Sequence, residues 1–393
     1  MKEDWEYKSL GEVCRIFNGN SINADYKKTH YMGLSEGYPF IATKDVSFDG
    51  IIDYENGVKI PFDEGLKVAK PNSVFICVEG GSAGRKIGLV NREVCFGNKL
   101  FCLDSQGSVL GPFIYYYLKS ELFQDQFAER LTGLIGGVSA KKFNDISIIY
   151  PSLSEQQSIV DYLDSAFAKI DTMKANAEKA LNDAKALFQA SLKEMLEPKE
   201  GWEEKKLQEV AYDFSRGKSK HRPRNDKKLF GGKYPFIQTG EIRNANVYVT
   251  SHSSTYNEIG LSQSKLWPKD TVCITIAANI AEVAILKYPS CFPDSVIGFV
   301  ADRNKVDKLF VFYSLLKYQQ DLKKQGKGSA QDNINLGTFE KNYFPFPSLE
   351  EQQNIVCTLD SLKSKVDKLQ ENYDKISQEC DALKQAILRQ VFE

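Results

Sequence analysis

Two textures alternate along this chain. Up to about residue 150, apolar residues fall in short runs such as Val74-Phe75-Ile76-Cys77-Val78 and Ile87-Gly88-Leu89-Val90, separated by turn signals at Asp49-Gly50, Asn56-Gly57 and Pro71-Asn72. Runs of that length, bounded by Gly, Pro and Asn, predict short strands. After Pro112, residues Phe113, Tyr116, Tyr117, Phe123 and Phe127 share a repeating face, which predicts a helix with a counterpart around Leu309 to Leu322. From Ser154 the texture changes. Gly and Pro vanish until Pro198, while Ile159, Leu163, Ile170, Met173, Ala177, Ala184, Leu187 and Leu192 recur at helical steps. This predicts a helix about 60 Å long at ~1.5 Å per residue, opened by a capping-box spacing from Ser154 to Gln157. A second stretch is more regular: Ile355, Leu359, Leu362, Val366, Leu369, Tyr373, Ile376, Cys380, Leu383 and Ile387 form a coiled-coil seam over four heptads.

The alternation is a duplication. Pro-Ser-Leu-Ser-Glu-Gln-Gln from Pro151 returns as Pro-Ser-Leu-Glu-Glu-Gln-Gln from Pro347, an offset of 196 that also pairs Tyr38-Pro39-Phe40-Ile41 with Tyr234-Pro235-Phe236-Ile237 and Cys95-Phe96 with Cys291-Phe292. Solenoid repeats run about 20 to 50 residues, so whole domains are duplicated here. The expected division is a domain over 1–150, a helical spacer over 151–197, a second domain over 198–346 and a second spacer over 347–393. The predicted class is α+β. Ala-rich positions on the first helix permit close approach, and the seam carries no buried Asn to enforce a parallel register. Antiparallel pairing would relate the halves by a pseudo-two-fold axis.

Composition narrows the chemistry. With 393 residues, 26% charged and 42% hydrophobic, the chain is expected to fold as two or more ordinary globular domains. No apolar run reaches the roughly 18 to 20 residues of a membrane span, and the start lacks a signal peptide, so a cytoplasmic location is expected. Eight cysteines without a Cys-x-x-Cys, several inside apolar strings, read as buried reduced thiols, and the three histidines, His30, His221 and His252, as surface residues. No metal site is expected. Gly80-Gly81-Ser82-Ala83-Gly84-Arg85-Lys86 departs from the phosphate-loop pattern, and its counterpart from Ile276 to Glu282 has no glycine, so a tight turn is expected there. An adenine methyltransferase would need a cofactor turn and an Asn-Pro-Pro-Tyr-like pocket, and the chain has no Pro-Pro. Glu155, Glu178 and Glu194 read as solvated helix faces.

The net charge of −1 requires any nucleic-acid-binding surface to be local. The segment Arg216 to Lys228 supplies one, with seven Lys or Arg in thirteen residues. Its counterpart, Asn18 to His30, holds only Lys27, Lys28 and His30. Polar tips diverge elsewhere too: Ala42-Thr43-Lys44-Asp45 stands opposite Gln238-Thr239-Gly240-Glu241, and Gly136 to Ser139 opposite Asp332 to Asn335. The apolar frame is kept and the residue types that read base edges change.

The doubled Pro-Ser-Leu-x-Glu-Gln-Gln, each opening a long helix after an α/β domain, resembles the specificity subunits of type I restriction-modification systems, as do the Leu-Gly-Glu-Val after Trp5 and the Leu-Gln-Glu-Val after Trp202. The resemblance covers essentially the whole chain. It implies two target recognition domains, each reading half of a bipartite double-stranded DNA site, and an antiparallel coiled coil that sets the spacing and docks two methyltransferase subunits. In systems that also cleave, two restriction subunits join them. It implies no catalysis and no cofactor in this chain, with S-adenosylmethionine, ATP and Mg belonging to the partner subunits. The expected phosphate or groove contacts are Lys27, Lys28, Arg85, Lys86, Lys141 and Lys142 in the first copy and Arg216, Lys218, Lys220, Arg222 and Arg224 in the second. The expected base-edge residues are Lys44, Asn98 and Lys99, then Gln238, Thr239, Arg243, Asn279, Gln331 and Asn333. The first copy departs from the family at Gly133 to Lys141. A self-contained DNA methyltransferase and a coiled-coil adaptor without sequence-selective DNA binding are the rival readings.

Overall fold

The computed structural model describes residues 4–132, 136–277, 280–327, 334 and 336–393. The chain divides into two units, Met1–Glu178 with Tyr373–Glu393, and Lys179–Asn372. Each contains one globular domain and a stretch of both long helices.

In the first unit, strands Cys14–Asn18, Leu100–Ser105, Val74–Cys77 and Ile87–Leu89 form an antiparallel sheet in that order. Val74 and Ile76 face a core shared with the helices, whereas Phe75 and Cys77 face a second core with Phe96, Leu100 and Cys102. Burial on both faces is why this run is continuously apolar. A second sheet orders Lys59–Ile60, Tyr38–Ile41, Val94–Phe96 and Val68–Ala69, with Tyr38–Ile41 parallel to Val94–Phe96. An antiparallel ribbon of Glu6–Ser9 with Ser147–Tyr150 ties the start of the domain to its end.

The single helix expected after Pro112 is two, Gly111–Lys119 and Glu121–Glu129. Ser120 divides them: its hydroxyl donates to the Tyr117 carbonyl at 2.7 Å and accepts from the Phe123 amide at 3.4 Å. Such local bonding competes with helix continuation. In the second unit the counterpart is one helix, Lys308–Lys327. There the sheet has five strands, ordered Ala211–Arg216, Val296–Ala301, Val272–Thr275, Val283–Leu286 and Tyr248–Val249. Val272 and Ile274 again face one core and Cys273 the other. Glu203–Lys205 pairs with Phe344–Phe346 as the closing ribbon. Seven cysteines are buried and Cys357 is exposed, all unpaired; burial pushes the Cys14 and Cys102 thiols up to about 12. Among the described residues, no helix is long and apolar enough to cross a membrane.

The long helices are Leu153–Met195, 43 residues, and Leu349–Phe392, 44 residues. They run antiparallel in the first unit, where Lys174 pairs with Asp381 at 3.2 Å and Lys384 with Asp171 at 2.5 Å. In the second unit Lys185 donates to Gln370 at 2.8 Å. The seam read from sequence needs correction. Met173 and Leu187 are 59% exposed and Leu383 47%, while Val160, Leu181 and Phe188 are buried. In each unit both helices pack on the globular domain as well as on each other, Val160 and Phe392 in the first core and Phe188 and Ile355 in the second, and the two demands shift the buried stripe.

The start of the first helix is also corrected. Ser154 lies inside the first helix; the capping oxygen belongs to Ser152, which accepts the Glu155 amide at 3.4 Å, as Ser348 accepts that of Glu351 at 3.3 Å. Glu155 is not merely solvated, because it accepts the Trp5 indole N–H at 3.3 Å, and Glu351 accepts that of Trp202 at 3.2 Å. The following glutamine is fully buried. Gln156 Oε1 accepts the Leu110 amide at 2.8 Å, and its Nε2 donates to the carbonyls of Pro151 at 2.8 Å and Ser108 at 3.1 Å. Gln352 repeats this with the Asp307 amide at 2.9 Å and the Pro347 carbonyl at 2.9 Å. One turn or two further on, Tyr116 donates to Asp164 and Tyr313 to Asp360, both at 2.5 Å. Burial first, then these carboxylates, push both phenols far above their ordinary range.

Gln156→Leu fills the same space without either polar group. It leaves the Leu110 amide and the Pro151 and Ser108 carbonyls without this partner, at a cost of about 1–3 kcal/mol for each group left unpaired, and is expected to lower the urea midpoint of the first unit. Gln156→Glu is expected to be worse, because a carboxylate would face the Pro151 and Ser108 carbonyls. Unchanged midpoints for both would show that this contact does not hold the helix to the domain.

Candidate nucleic-acid interface

In the first unit, loops far apart in sequence meet at one end of the antiparallel sheet. The Val78 amide donates to the Lys99 carbonyl at 3.1 Å, Val138 to Val78 at 3.1 Å, Gly80 to Gly136 at 2.9 Å and Gly97 to Ile41 at 2.9 Å. Lys86 Nζ donates to the Thr43 carbonyl at 2.9 Å. Lys44, Arg85, Lys86, Asn98 and Lys99 are thereby gathered, and Asn98, Lys99, Lys141 and Lys142 are exposed. Lys141 and Lys142 lie on the short helix Ala140–Asn144, capped by Ser139. Lys44 is 3.3 Å from Asp45, whose buried carboxylate also accepts the Ala42 amide and the Asn56 side chain. Half-exposed Phe48 has two cations over its ring, the Arg85 guanidinium at 4.8 Å and Lys86 Nζ at 5.2 Å. Sequence reading missed it, because one Phe in a polar loop carries no periodic signal.

The Gly80 to Lys86 segment is a tight turn. The amides of Ala83, Gly84 and Arg85 donate to the carbonyls of Gly80, Cys77 and Ser82, so they are spent internally rather than offered to a phosphate. Lys27 and Lys28 lie on the helix Ala24–His30. Lys28 is exposed, but Lys27 is half-buried with its ammonium 3.8 Å above the Phe40 ring, and burial pulls it below its ordinary value. It serves packing as much as any ligand.

In the second unit the basic segment is not a loose charge run. Its amides at Lys220 and His221 donate to Gln263 Oε1 at 2.7 and 3.0 Å, and Ser264 Oγ donates to the Lys218 carbonyl at 2.9 Å. His221, expected on the surface, is half-buried with Nε2 2.9 Å from Asp226. That contact first, then the Lys228 amide, hold the Asp226 carboxyl below its ordinary value. Lys218 and Lys220 are exposed and make no ion pair among the described residues. Arg216, Arg222 and Arg224, expected to contact phosphates or the groove, are exposed and converge on Asp294.

Gln238 and Thr239 open the helix Thr239–Asn244, with Arg243 exposed in its last turn. The Gln238 amide donates to Glu241 at 3.0 Å, leaving its side chain exposed. Backbone bonds from Ile237 to Cys291 and from Cys291 to Pro235, both 2.8 Å, set this helix start beside the 291–295 turn. Asn279, Gln331 and Asn333 lie outside the described residues.

The sequence family described as the type I restriction modification DNA specificity domain matches residues 2–182 and again 199–378. The putative type I restriction enzyme MjaX specificity subunit of Methanocaldococcus jannaschii is 23% identical over 395 residues, spanning 93% of this chain and 88% of that one. The StySPI specificity subunit of Salmonella potsdam is 21% identical over 434 residues, spanning 100% and 89%. Among solved structures, a chain from work on complex assembly and conformational transition of the type I R-M system superposes with a TM-score of 0.80 at 19% identity, covering 100% of this chain and 98% of that one. The HsdS subunit from Thermoanaerobacter tengcongensis gives a TM-score of 0.58 at 19% identity, covering 100% and 97%. At these identities the structural likeness concerns the fold.

The first unit's two kinds of lysine separate in titrations with duplex DNA. Lys99→Ala, removing an exposed cation, is expected to reduce the slope of log affinity against log salt by about 0.9 if it meets one phosphate, with no change in thermal midpoint. Lys27→Ala is expected to lower the midpoint as well, since its stem and charge rest on Phe40. Indistinguishable behaviour of the two variants would remove the distinction between surface and packing lysines.

Proposed function

The chain belongs to the type I restriction modification DNA specificity family, and from that premise we propose that it is the DNA-reading subunit of a type I restriction-modification complex. Each of its two domains reads one half of a split target in double-stranded DNA. The paired helices fix the number of unread base pairs between the halves and offer the docking surface for two methyltransferase subunits. Methyl transfer and any cleavage, with S-adenosylmethionine, ATP and Mg, belong to those partners, and the complex works on DNA in the cytoplasm.

The observation that carries this reading is a constant frame with unlike tips. Both units use the same sheet end and the same ribbon and glutamine contacts, yet one presents Lys44, Asn98 and Lys99 where the other presents Gln238, Thr239 and an arginine cluster. Arg, Lys, Asn and Gln distinguish base edges in the major groove. Two unlike tips suit two unlike half-sites.

Methylation mapping tests it, in cells expressing this chain with its methyltransferase subunit and in cells lacking this chain. A bipartite motif modified on both strands, and lost without this chain, is the expected result. A stable complex and an active methyltransferase with no motif dependent on this chain would favour the adaptor. A second expectation concerns length. Adding four residues to both long helices extends each by about 6 Å, close to two base-pair steps of ~3.4 Å. The motif is expected to keep both half-sites and change its spacer; an unchanged spacer would show that helix length does not set it.

A further inference from the structure

Asp294 has the wrong sign for a DNA-binding surface, yet the basic segment is organised around it. Its carbonyl accepts Arg216 Nε at 2.8 Å and Nη2 at 2.6 Å. Its carboxylate lies 2.8 Å from Arg224 Nη2 and 3.9 Å from Arg222 Nη2. The turn bearing it is locked to the strand end: the Gly217 amide donates to Val296 at 2.8 Å, and a Cβ on Gly217 would come within 2.4 Å of the Pro293 carbonyl oxygen. Only glycine lets the two segments approach so closely.

The three arginines are not equivalent. Arg216 spends Nε and Nη2 on the Asp294 carbonyl, and Arg222 spends Nη1 on the carbonyls of Ser219 at 2.6 Å and His221 at 2.9 Å. Arg224 is held through Nη2 alone, so Nε and Nη1 have no hydrogen bond among the described residues. It lines a concavity of about 270 Å³ together with Ser219, Gln238, Thr239, Phe230 and Phe236. The concavity has a fixed wall, because Phe236 stacks on buried Tyr256 with ring centroids 4.2 Å apart.

Building on the DNA-reading function, we propose that this concavity takes the edge of a guanine in the half-site of the second domain, with Arg224 as the reading side chain and Asp294 as its positioning residue. Guanine offers O6 and N7 as paired acceptors in the major groove, and a guanidinium fork matches them. A carboxylate that holds one N–H fixes the plane of the fork before DNA arrives, which reduces the ordering cost of binding. Gln238 and Thr239, on the same concavity, meet the neighbouring base pair.

The test uses the complex of this chain with its methyltransferase subunits. Affinity is measured for the methylation-mapped target, for a duplex with a scrambled second half-site, and for targets with each base pair of either half-site replaced in turn. Asp294→Asn and Arg224→Lys are each expected to weaken target binding by about 5- to 100-fold, the discrimination given by one good bidentate pair. The penalty for replacing one G·C pair in the second half-site should disappear, and the first half-site profile should be unchanged. Simple electrostatics predicts the reverse for Asp294→Asn, since removing a negative charge strengthens attraction to DNA; tighter target binding with an unchanged profile would overturn the proposal. So would a second half-site without a G·C pair, or an Arg224→Lys variant that keeps the wild-type profile. Loss at every position together with a lowered thermal midpoint would mark Asp294 as merely structural. If the wild-type complex does not distinguish target from scrambled duplex, the DNA-reading function itself fails, and this proposal with it.

Discussion

A buried glutamine amide at the start of each long helix is the contact on which the rest of each unit depends. A helix turns by about 100° and rises ~1.5 Å per residue, so fixing its first turn fixes which face every later residue presents. Gln156 does this by reading two backbone groups of opposite character, an amide at Leu110 and the carbonyls of Ser108 and Pro151. Only a side chain that both donates and accepts satisfies that site, and neither Glu nor Lys does. The Trp5–Glu155 and Tyr116–Asp164 bonds lie on either side of it, and Gln352, Trp202 and Tyr313 repeat the arrangement. The repeated Glu-Gln-Gln is thus the print of a mechanical joint between domain and helix.

Much of the architecture was legible because it is periodic or repeated. The strands, the two long helices, the buried thiols and the duplicated frame follow from runs, spacing and turn residues. What failed was local or depended on a second surface. Ser120 breaks a well-patterned helix through its own hydroxyl. Met173, Leu187 and Leu383 fit a coiled-coil seam yet are exposed, since each helix also packs on a globular domain. The positively charged candidates were easy to find by type, but their division into exposed cations, packing groups and members of an arginine cluster required contacts between residues up to 78 positions apart, such as Arg216 with Asp294. Phe48 and Asp294 have no sequence signature.

The electrostatic design is local. A chain with a net charge of −1 concentrates cations in a few loops and then restrains several of them with acids: Asp45 beside Lys44, Asp226 beside His221 and Lys228, and Asp294 beside the arginines. Exposed pairs of this kind contribute little stability. Their effect is geometric, because a cation already held by one acid enters a complex with fewer conformations to lose. Both units use this device, on different residues.

The first unit is also discontinuous in a way that matters for how the protein is made. Leu388, Val391 and Phe392 belong to its core, where Phe392 packs against Phe113 and Tyr117 with ring centroids 5.3 and 5.6 Å away. This segment is translated only after the whole of the second unit. At about 5–20 residues per second, the first domain emerges from the ribosome and waits on the order of ten seconds or more with an apolar face uncovered. During that interval its aromatic helix surface is available to chaperones and to neighbouring nascent chains. The second unit, by contrast, is one uninterrupted stretch of chain, Lys179–Asn372. The two halves of a duplicated protein therefore face different risks at birth, and misassembly should begin with the one made first.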